Sequence, residues 1–223
     1  CMVTADMSGL TNPAFLAAAV ECGVRFLVCD TSRPGWNNPS PNTPIQSTIQ
    51  HTITLIPRHP NNLFYDVVTP ADWAARYDQV YHAYWGRTLS IAEIIAEEAR
   101  QILGYLLVAE ADPLMFHQPN LHAYDGEHSL LSDLFDAVLA QYNEFFGDVP
   151  LLSLSMRTIG ERMVKRTRYD QARIDASLVI GSGLILVADR DIDAPLTGVR
   201  MYGADEQYGG QAIASVALKA DVV

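Results

Sequence analysis

Three groups of polar side chains could do chemistry, and each group follows a predicted β-strand. They are Asp30, Arg33, Trp36, Asn37 and Asn38 after the first strand; Arg58, His59, Asn61 and Asn62 after the second; and His117, Gln118 and Asn120 after the third. In parallel α/β sheets and barrels, binding and catalytic sites lie at the carboxyl ends of the strands. If the sheet is parallel, the three groups therefore converge on one site.

The residue types in these groups suit a sugar better than a nucleotide. An indole such as that of Trp36 stacks on a sugar ring, and Asn37 and Asn38 offer donors and acceptors to hydroxyl groups. Arg33 can hold a carboxylate through two hydrogen bonds. His117 can act as a general acid, because an unperturbed imidazole titrates near neutrality. The sequence has no phosphate-binding glycine loop, GxSxG elbow or HExxH motif.

Each group also has a purely structural interpretation. Asparagine and proline turn chemistry is enough to explain the segment RPGWNNP, and Asp30 can simply pair with Arg33. A lone histidine after an apolar run, such as His117, is often a hydrogen-bonded core residue. The coincidence of three polar strand ends is more informative than any one of these residues, and it favours the functional interpretation.

The elements that must position these groups alternate between helix and strand up to about residue 170. The predicted strands are VRFLVCD, HTITLIP, PLMFHQ and VPLLSLS, and helices with capping signals at Asn12, Thr69, Ser90 and Thr158 are interspersed with them. This alternation predicts an α/β fold with a parallel sheet or barrel over residues 1–170. Residues 171–223 read as a small β-rich appendage, with a hairpin at Gly181 to Gly183 and a further strand near the end.

Composition and charge exclude several function classes. The chain has 223 residues, of which 49% are hydrophobic and 18% charged, as in ordinary globular proteins. Its formal net charge of −11 disfavours nucleic acid and anionic membranes as partners. No apolar run approaches the roughly 20 residues that span a bilayer. The three cysteines, Cys1, Cys22 and Cys29, match no zinc spacing.

Three long segments resemble a known family. They are SGLTNPAFLAAAVECGVRFLVCDTSRPGWNNP, IPRHPNNLFYDV and DPLMFHQPNL, and EQYGGQAIASVAL near the end adds to them. They are similar to the deacetylase domain of the bacterial Pel exopolysaccharide system and to the related fungal deacetylase that acts on galactosaminogalactan. The resemblance implies part of a distorted (β/α) barrel of the polysaccharide-deacetylase type. It also implies metal-dependent removal of N-acetyl groups from a hexosamine-containing exopolysaccharide, outside the cytoplasm in the periplasm or extracellular space.

The resemblance also implies roles for individual residues. His117 would be the general acid and Arg33 would orient the catalytic base, while Trp36, Asn37, Asn38, Gln118 and Asn120 would contact substrate or support the site. Arg58 and Asn61 would line the site or support His117.

Such enzymes hold a divalent metal, usually zinc, with an aspartate and an HxxxH motif. This sequence contains neither an early aspartate pair nor HxxxH. We therefore expect a C-terminal portion whose metal ligands lie outside this chain and which is inactive alone. The alternative is a non-catalytic carbohydrate-binding domain. Association with other proteins of an exopolysaccharide machinery is a further expectation.

Overall fold

The chain has a mixed α/β architecture in the computed structural model, which describes residues 1–4, 7–36, 41–147, 149–198, 206–208 and 210–220. The helices are α1 (Pro13–Glu21), α2 (Pro70–Trp85), α3 (Ile91–Leu107), α4 (Leu130–Phe146) and α5 (Met156–Asp170). The strands are β1 (Phe26–Asp30), β2 (Ile45–Gln46), β3 (Thr54–Arg58), β4 (Ile174–Val179), β5 (Gly183–Ala188), β6 (Ile192–Thr197), β7 (Glu206–Tyr208) and β8 (Gln211–Leu218). The predicted α/β class is confirmed, and the barrel stays a prediction.

The first sheet positions the polar strand ends. β1 and β3 pair in parallel in the register Phe26 with Thr54 through Asp30 with Arg58, and the short β2 adds an antiparallel edge to β3. Because the two longer strands run in the same direction, Asp30 and Arg58 end side by side. The parallel pairing expected from the sequence is therefore present between the two strands that end in Asp30 and Arg58.

Both faces of this sheet are covered, as the apolar sequence of β1 requires. Leu27 and Cys29 point to one face and pack with Leu16 of α1. Phe26 and Val28 point to the other face and pack with Met163 of α5. Alternation along a strand places Asp30 on the same face as Phe26 and Val28.

Helices α2, α3 and α4 form a second hydrophobic cluster around Trp73, Ile94 and Leu134. The starts of α2 and α3 are fixed by capping boxes, in which the Thr69 and Ser90 side chains accept a backbone N–H three residues on. The segment after α3 returns to the sheet through an isolated parallel bridge between His59 and Leu114. That bridge carries the chain to His117.

Two predicted strands are replaced by irregular backbone. PLMFHQ makes only the bridge at Leu114, and residues 149–155 form no strand with any described neighbour. The helix that follows is capped by Ser155, which accepts from the Thr158 N–H at 3.2 Å, so the predicted cap at Thr158 is three residues too late. These two apolar segments have no described strand to pair with along their length, so they do not become part of a sheet.

The C-terminal part of the described chain is β-rich. β4 and β5 form an antiparallel hairpin, and β6, β8 and β7 form a three-stranded antiparallel sheet in that order. Ala188, Ile192 and Ala194 are buried at the centre of this part. No helix in the described residues is long and apolar enough to cross a membrane.

Candidate active site

A cleft of about 840 Å³ opens at the carboxyl ends of β1 and β3. Its polar and aromatic lining includes Asp30, Arg33, Arg58, Tyr65, His117 and Gln118. Residues from all three predicted polar strand ends therefore meet in one place. The site residues Arg33, Arg58, His117 and Gln118, which the sequence singled out, all line this cleft.

Asp30 anchors the turn that leaves β1. It is buried, and its Oδ1 accepts hydrogen bonds from the backbone N–H of Ser32 at 2.9 Å and from its hydroxyl at 2.6 Å. Its Oδ2 lies 3.8 Å from Nε of Arg33. The pairing of Asp30 with Arg33 that the sequence left open is present, and it lies inside the cleft rather than away from it.

Arg58 brings a partly buried positive charge to the same wall. Burial lowers the pKa of its guanidinium, and the negative charge of Asp30 opposes that effect. Its Nε is buried without a hydrogen-bond partner among the described residues, as is Oγ1 of Thr4, which also lines the cleft. Buried polar atoms are normally paired, so these two retain unused hydrogen-bonding capacity.

The backbone at His117 is held by Asn120. Oδ1 of Asn120 accepts from the N–H of His117 at 3.0 Å, and its Nδ2 donates to the carbonyl oxygens of Phe64 at 2.9 Å and Val67 at 3.4 Å. Asn120 is fully buried. These contacts favour support of the turn over direct contact with a sugar, the two roles the sequence left open.

The imidazole of His117 sits between opposite charges. Burial lowers its pKa, the positive charge of Arg58 lowers it further, and the charge of Asp30 acts in the opposite direction. The ring of Tyr65 packs edge-on to it with centroids 6.0 Å apart. A histidine in these surroundings gives up a proton more readily than one in water, which suits transfer to a leaving group.

Trp36 and Asn61, two further predicted residues, are not among the described residues that line the cleft. Trp36 is half-buried against the cluster that packs on α1. Asn61 donates through Nδ2 to the carbonyl of Met115 and accepts at Oδ1 from the N–H of Leu63, so it braces the segment that leads to His117. Asn37 and Asn38 fall outside the described residues.

Tyr65 is an aromatic cleft residue that the sequence analysis did not single out. Its side chain is 64% exposed although it lies against His117. The signal was present in the segment NNLFYD, where an aromatic residue follows the asparagine-rich loop after β3. Nothing local in that segment distinguishes an exposed ring at a cleft from a buried one.

One group of side chains could hold a metal ion, and no spacing in the sequence indicates it. The potential ligand atoms of His59, Glu110 and Asp112 all lie within 4.8 Å of one another. Burial, followed by the charge of Glu110, raises the pKa of Asp112 to about 6. His59 follows Arg58 directly and so points to the opposite side of β3. Within the described part of the chain, the cleft itself offers Asp30 and His117 but no third ligand that completes such a group.

The fold and the cleft define an α/β protein whose site lies at the carboxyl ends of parallel strands. The sequence model of the Agd3 deacetylase domain matches residues 1–177, and the chain belongs to this family. A solved structure described as the crystal structure of Agd3, a novel carbohydrate deacetylase, superposes with a TM-score of 0.74 at 20% identity. The match covers 96% of this chain but only 36% of that one. No curated protein sequence matches.

Proposed function

We propose that the chain is the part of a hexosamine polysaccharide N-deacetylase that supplies the general acid. The observation that carries the proposal is the position of His117, in a cleft at the carboxyl ends of parallel strands of a chain that belongs to a deacetylase family. An exopolysaccharide substrate, action in the periplasm or outside the cell, and association with other proteins of the same machinery belong to this proposal.

The reaction is hydrolysis of an acetamide. Water adds to the acetyl carbonyl carbon, the C–N bond breaks, and acetate and a free amine leave. The amine nitrogen must receive a proton as it departs, and His117 donates it from its imidazolium form. A positioned general acid contributes about 10²–10⁴-fold to the rate.

Burial lowers the pKa of His117, and the charges of Arg58 and Asp30 modify it further. The Arg58 and Asp30 side chains lie on the same face of neighbouring strands. The charge of Arg58 lowers the pKa of the imidazole, and the charge of Asp30 raises it. Arg33 is held beside Asp30 and orients the catalytic base, which we place outside the described residues. Asn120 positions His117 through the backbone and does not touch substrate.

Substrate is held mainly by the rim of the cleft. The exposed ring of Tyr65 offers a stacking surface for a sugar, and Gln118 is exposed next to it. Arg58 and Thr4 also line the cleft and add polar side chains to the proposed sugar site. Trp36, Asn37 and Asn38 remain proposed contacts for sugar units further along the polymer.

A divalent metal such as zinc, when bound, supplies polarisation of the acetamide carbonyl and an activated water. The described residues that line the cleft do not bring three metal ligands together, so they do not fit this ion by themselves. We propose that its ligands come from outside this chain, and that this chain alone is inactive. In this proposal, the residues of this chain donate the proton to the leaving amine and bind the sugar.

Acetate release from partly N-acetylated galactosamine and glucosamine oligomers tests the proposal. The full-length protein is expected to release acetate, to stop after treatment with a chelator, and to recover when zinc is added back. Fully deacetylated oligomers are the matched negative control. Binding of the oligomers in the presence of chelator, with no acetate released under any metal condition, would instead establish a non-catalytic carbohydrate-binding domain.

A further inference from the structure

A histidine and two carboxylates meet on the side of β3 that faces away from the cleft. Nε2 of His59 contacts Oε1 of Glu110 and lies 3.8 Å from Oδ2 of Asp112. The three side chains are 12%, 4% and 2% exposed, in that order. We call these residues the His59 cluster.

The backbone around the His59 cluster is fixed before any ligand binds. The N–H of His59 donates to the carbonyl of Pro113 at 2.9 Å, and the N–H of Met115 donates to the carbonyl of His59 at 2.9 Å. The His59 ring also stacks on Tyr105 with centroids 4.5 Å apart and planes 7° apart. The imidazole and both carboxylates are therefore held by paired backbone rather than by mobile loops.

Asn42 orients Asp112 in the way that outer contacts orient metal ligands. Its backbone N–H donates to Oδ1 of Asp112 at 3.1 Å, and its Oδ1 accepts from the N–H of Ala111 at 2.6 Å. Oδ1 of Asp112 is thus occupied by the backbone. Oδ2, the other oxygen, is left directed to His59 and Glu110.

The charge of the His59 cluster is poorly compensated. Within the described residues, no lysine or arginine forms a salt bridge with Glu110 or Asp112. His59 can donate a single proton from Nε2, and Asp112 lies beyond hydrogen-bond distance of that atom. Two nearly buried carboxylates without a full positive partner are costly, so the cluster favours binding of a further positive species.

We propose that the His59 cluster binds one divalent transition-metal ion of the Zn²⁺ or Mn²⁺ type. An ion about 2.0–2.2 Å from each ligand atom holds those atoms roughly 3.3 Å apart, so only small shifts from the present arrangement are needed. One imidazole nitrogen with two carboxylate oxygens suits these ions, whereas Ca²⁺ and Mg²⁺ prefer oxygen ligands alone.

The consequence is a clamp between β3 and the segment that leads to His117. His59 follows the last residue of β3, while Glu110 and Asp112 precede Leu114, the bridge partner of His59. The ion would fix the segment that carries His117 relative to Arg58. Binding of the ion does not depend on the proposed reaction; the positioning of His117 by it does rest on that function.

Anomalous diffraction from the wild-type full-length protein is the decisive measurement. Crystals soaked in MnCl₂, and separately in ZnCl₂, are expected to show a peak bonded to His59 Nε2 and to carboxylate oxygens of Glu110 and Asp112. A CaCl₂ soak is expected to leave the position empty. Absence of a peak here, with metal bound elsewhere in the same crystals, would overturn the proposal.

Calorimetry in solution is the second experiment, and it measures the affinity and stoichiometry of Zn²⁺ and Mn²⁺ binding. Glu110→Gln and Asp112→Asn are each expected to weaken the binding affinity for one equivalent of metal by at least about 100-fold. Asp125→Asn is the matched control, because Asp125 pairs with His128 on the surface at 2.8 Å and lies outside the cluster. Unchanged stoichiometry and affinity in both folded variants would mean that the carboxylates hold a shared proton only. If a variant fails to fold, the diffraction result on the wild type decides.

Discussion

Asp30 and Arg58 are register partners at the ends of the parallel strands β1 and β3, with their side chains on the same face. This pairing puts one negative and one partly buried positive group at the wall of the cleft that holds His117. Charges on both sides of an imidazole act on its pKa in opposite directions. The two charges of the pair therefore modify the pKa of His117 in opposite directions.

The first prediction concerns the two members of that pair. Arg58→Gln is expected to raise the pKa of His117, because a positive charge that disfavours the imidazolium is removed. Asp30→Asn is expected to lower it, because a charge that favours the imidazolium is lost. An NMR titration of the His117 ring protons measures both. Shifts of the same sign in the two variants would contradict this electrostatic account.

The second prediction concerns the support of His117. Asn120→Ala is expected to destabilise the protein by about 1–3 kcal/mol, because it leaves the carbonyl oxygens of Phe64 and Val67 without their donor in a buried place. Urea unfolding measures the loss. Asn143→Ala, at an exposed position of α4, is the matched control and is expected to change stability by less than about 0.5 kcal/mol. Equal effects of the two substitutions would show that Asn120 is not a structural support.

The third prediction concerns a buried carboxylate between α2 and α3. Burial raises the pKa of Glu98 from 4.5, although the N–H and amide of Asn62 and the hydroxyl of Tyr77 all donate to it. The folded state then binds the proton more tightly than the unfolded state does. Stability contributed by this group is full below pH 4.5 and falls as pH rises through the folded-state pKa.

Glu98→Gln removes this titration and keeps the size of the side chain. The stability advantage of the wild type over this variant is expected to shrink as pH rises from about 4 to about 8. Unfolding by urea at a series of pH values measures it. Glu144→Gln, which is exposed on α4, serves as the control. An advantage that grows with pH would mean that the hydrogen bonds to the carboxylate outweigh its burial.

The fourth prediction concerns the packing of α5 on the sheet. A Cβ at Gly160 would lie 2.5 Å from the ring of Phe26, so Gly160→Ala is expected to cost about 1–3 kcal/mol. Gly104→Ala in α3 is the matched control. There a Cβ meets nothing within 4 Å, and a stabilisation of about 0.5–1 kcal/mol is expected. Thermal unfolding distinguishes the two, and a Gly160 variant as stable as the wild type would show that α5 can shift.

Local sequence signals predicted the helices and the central strands well. Asn12, Thr69 and Ser90 cap their helices as expected, because a capping residue acts within its own turn. The polar ends of β1 and β3 also converge, because the two strands pair in parallel, although the described residues between them form no helix. The caps depend on neighbours that are close along the chain, whereas the strand pairing does not.

The features that sequence reasoning missed depend on distant contacts. Glu110 and Asp112 lie about fifty residues from His59 in the sequence, so no local spacing indicates that the three side chains are close together. PLMFHQ has a strand-like composition, yet among the described residues it forms a single bridge, because no described strand continues beside it. Asn120 looked equally suited to a sugar or a turn, and only its burial favours the turn.

The rate of acetate release by a His117→Ala variant shows whether His117 is the general acid. Full-length wild-type protein, His117→Ala and His122→Ala are compared on the same N-acetylated hexosamine oligomer, with His122 chosen as an exposed histidine nearby. The account predicts a loss of about 10²–10⁴-fold for His117→Ala, with its fold retained, and little change for His122→Ala. Wild-type turnover in a folded His117→Ala variant would contradict it.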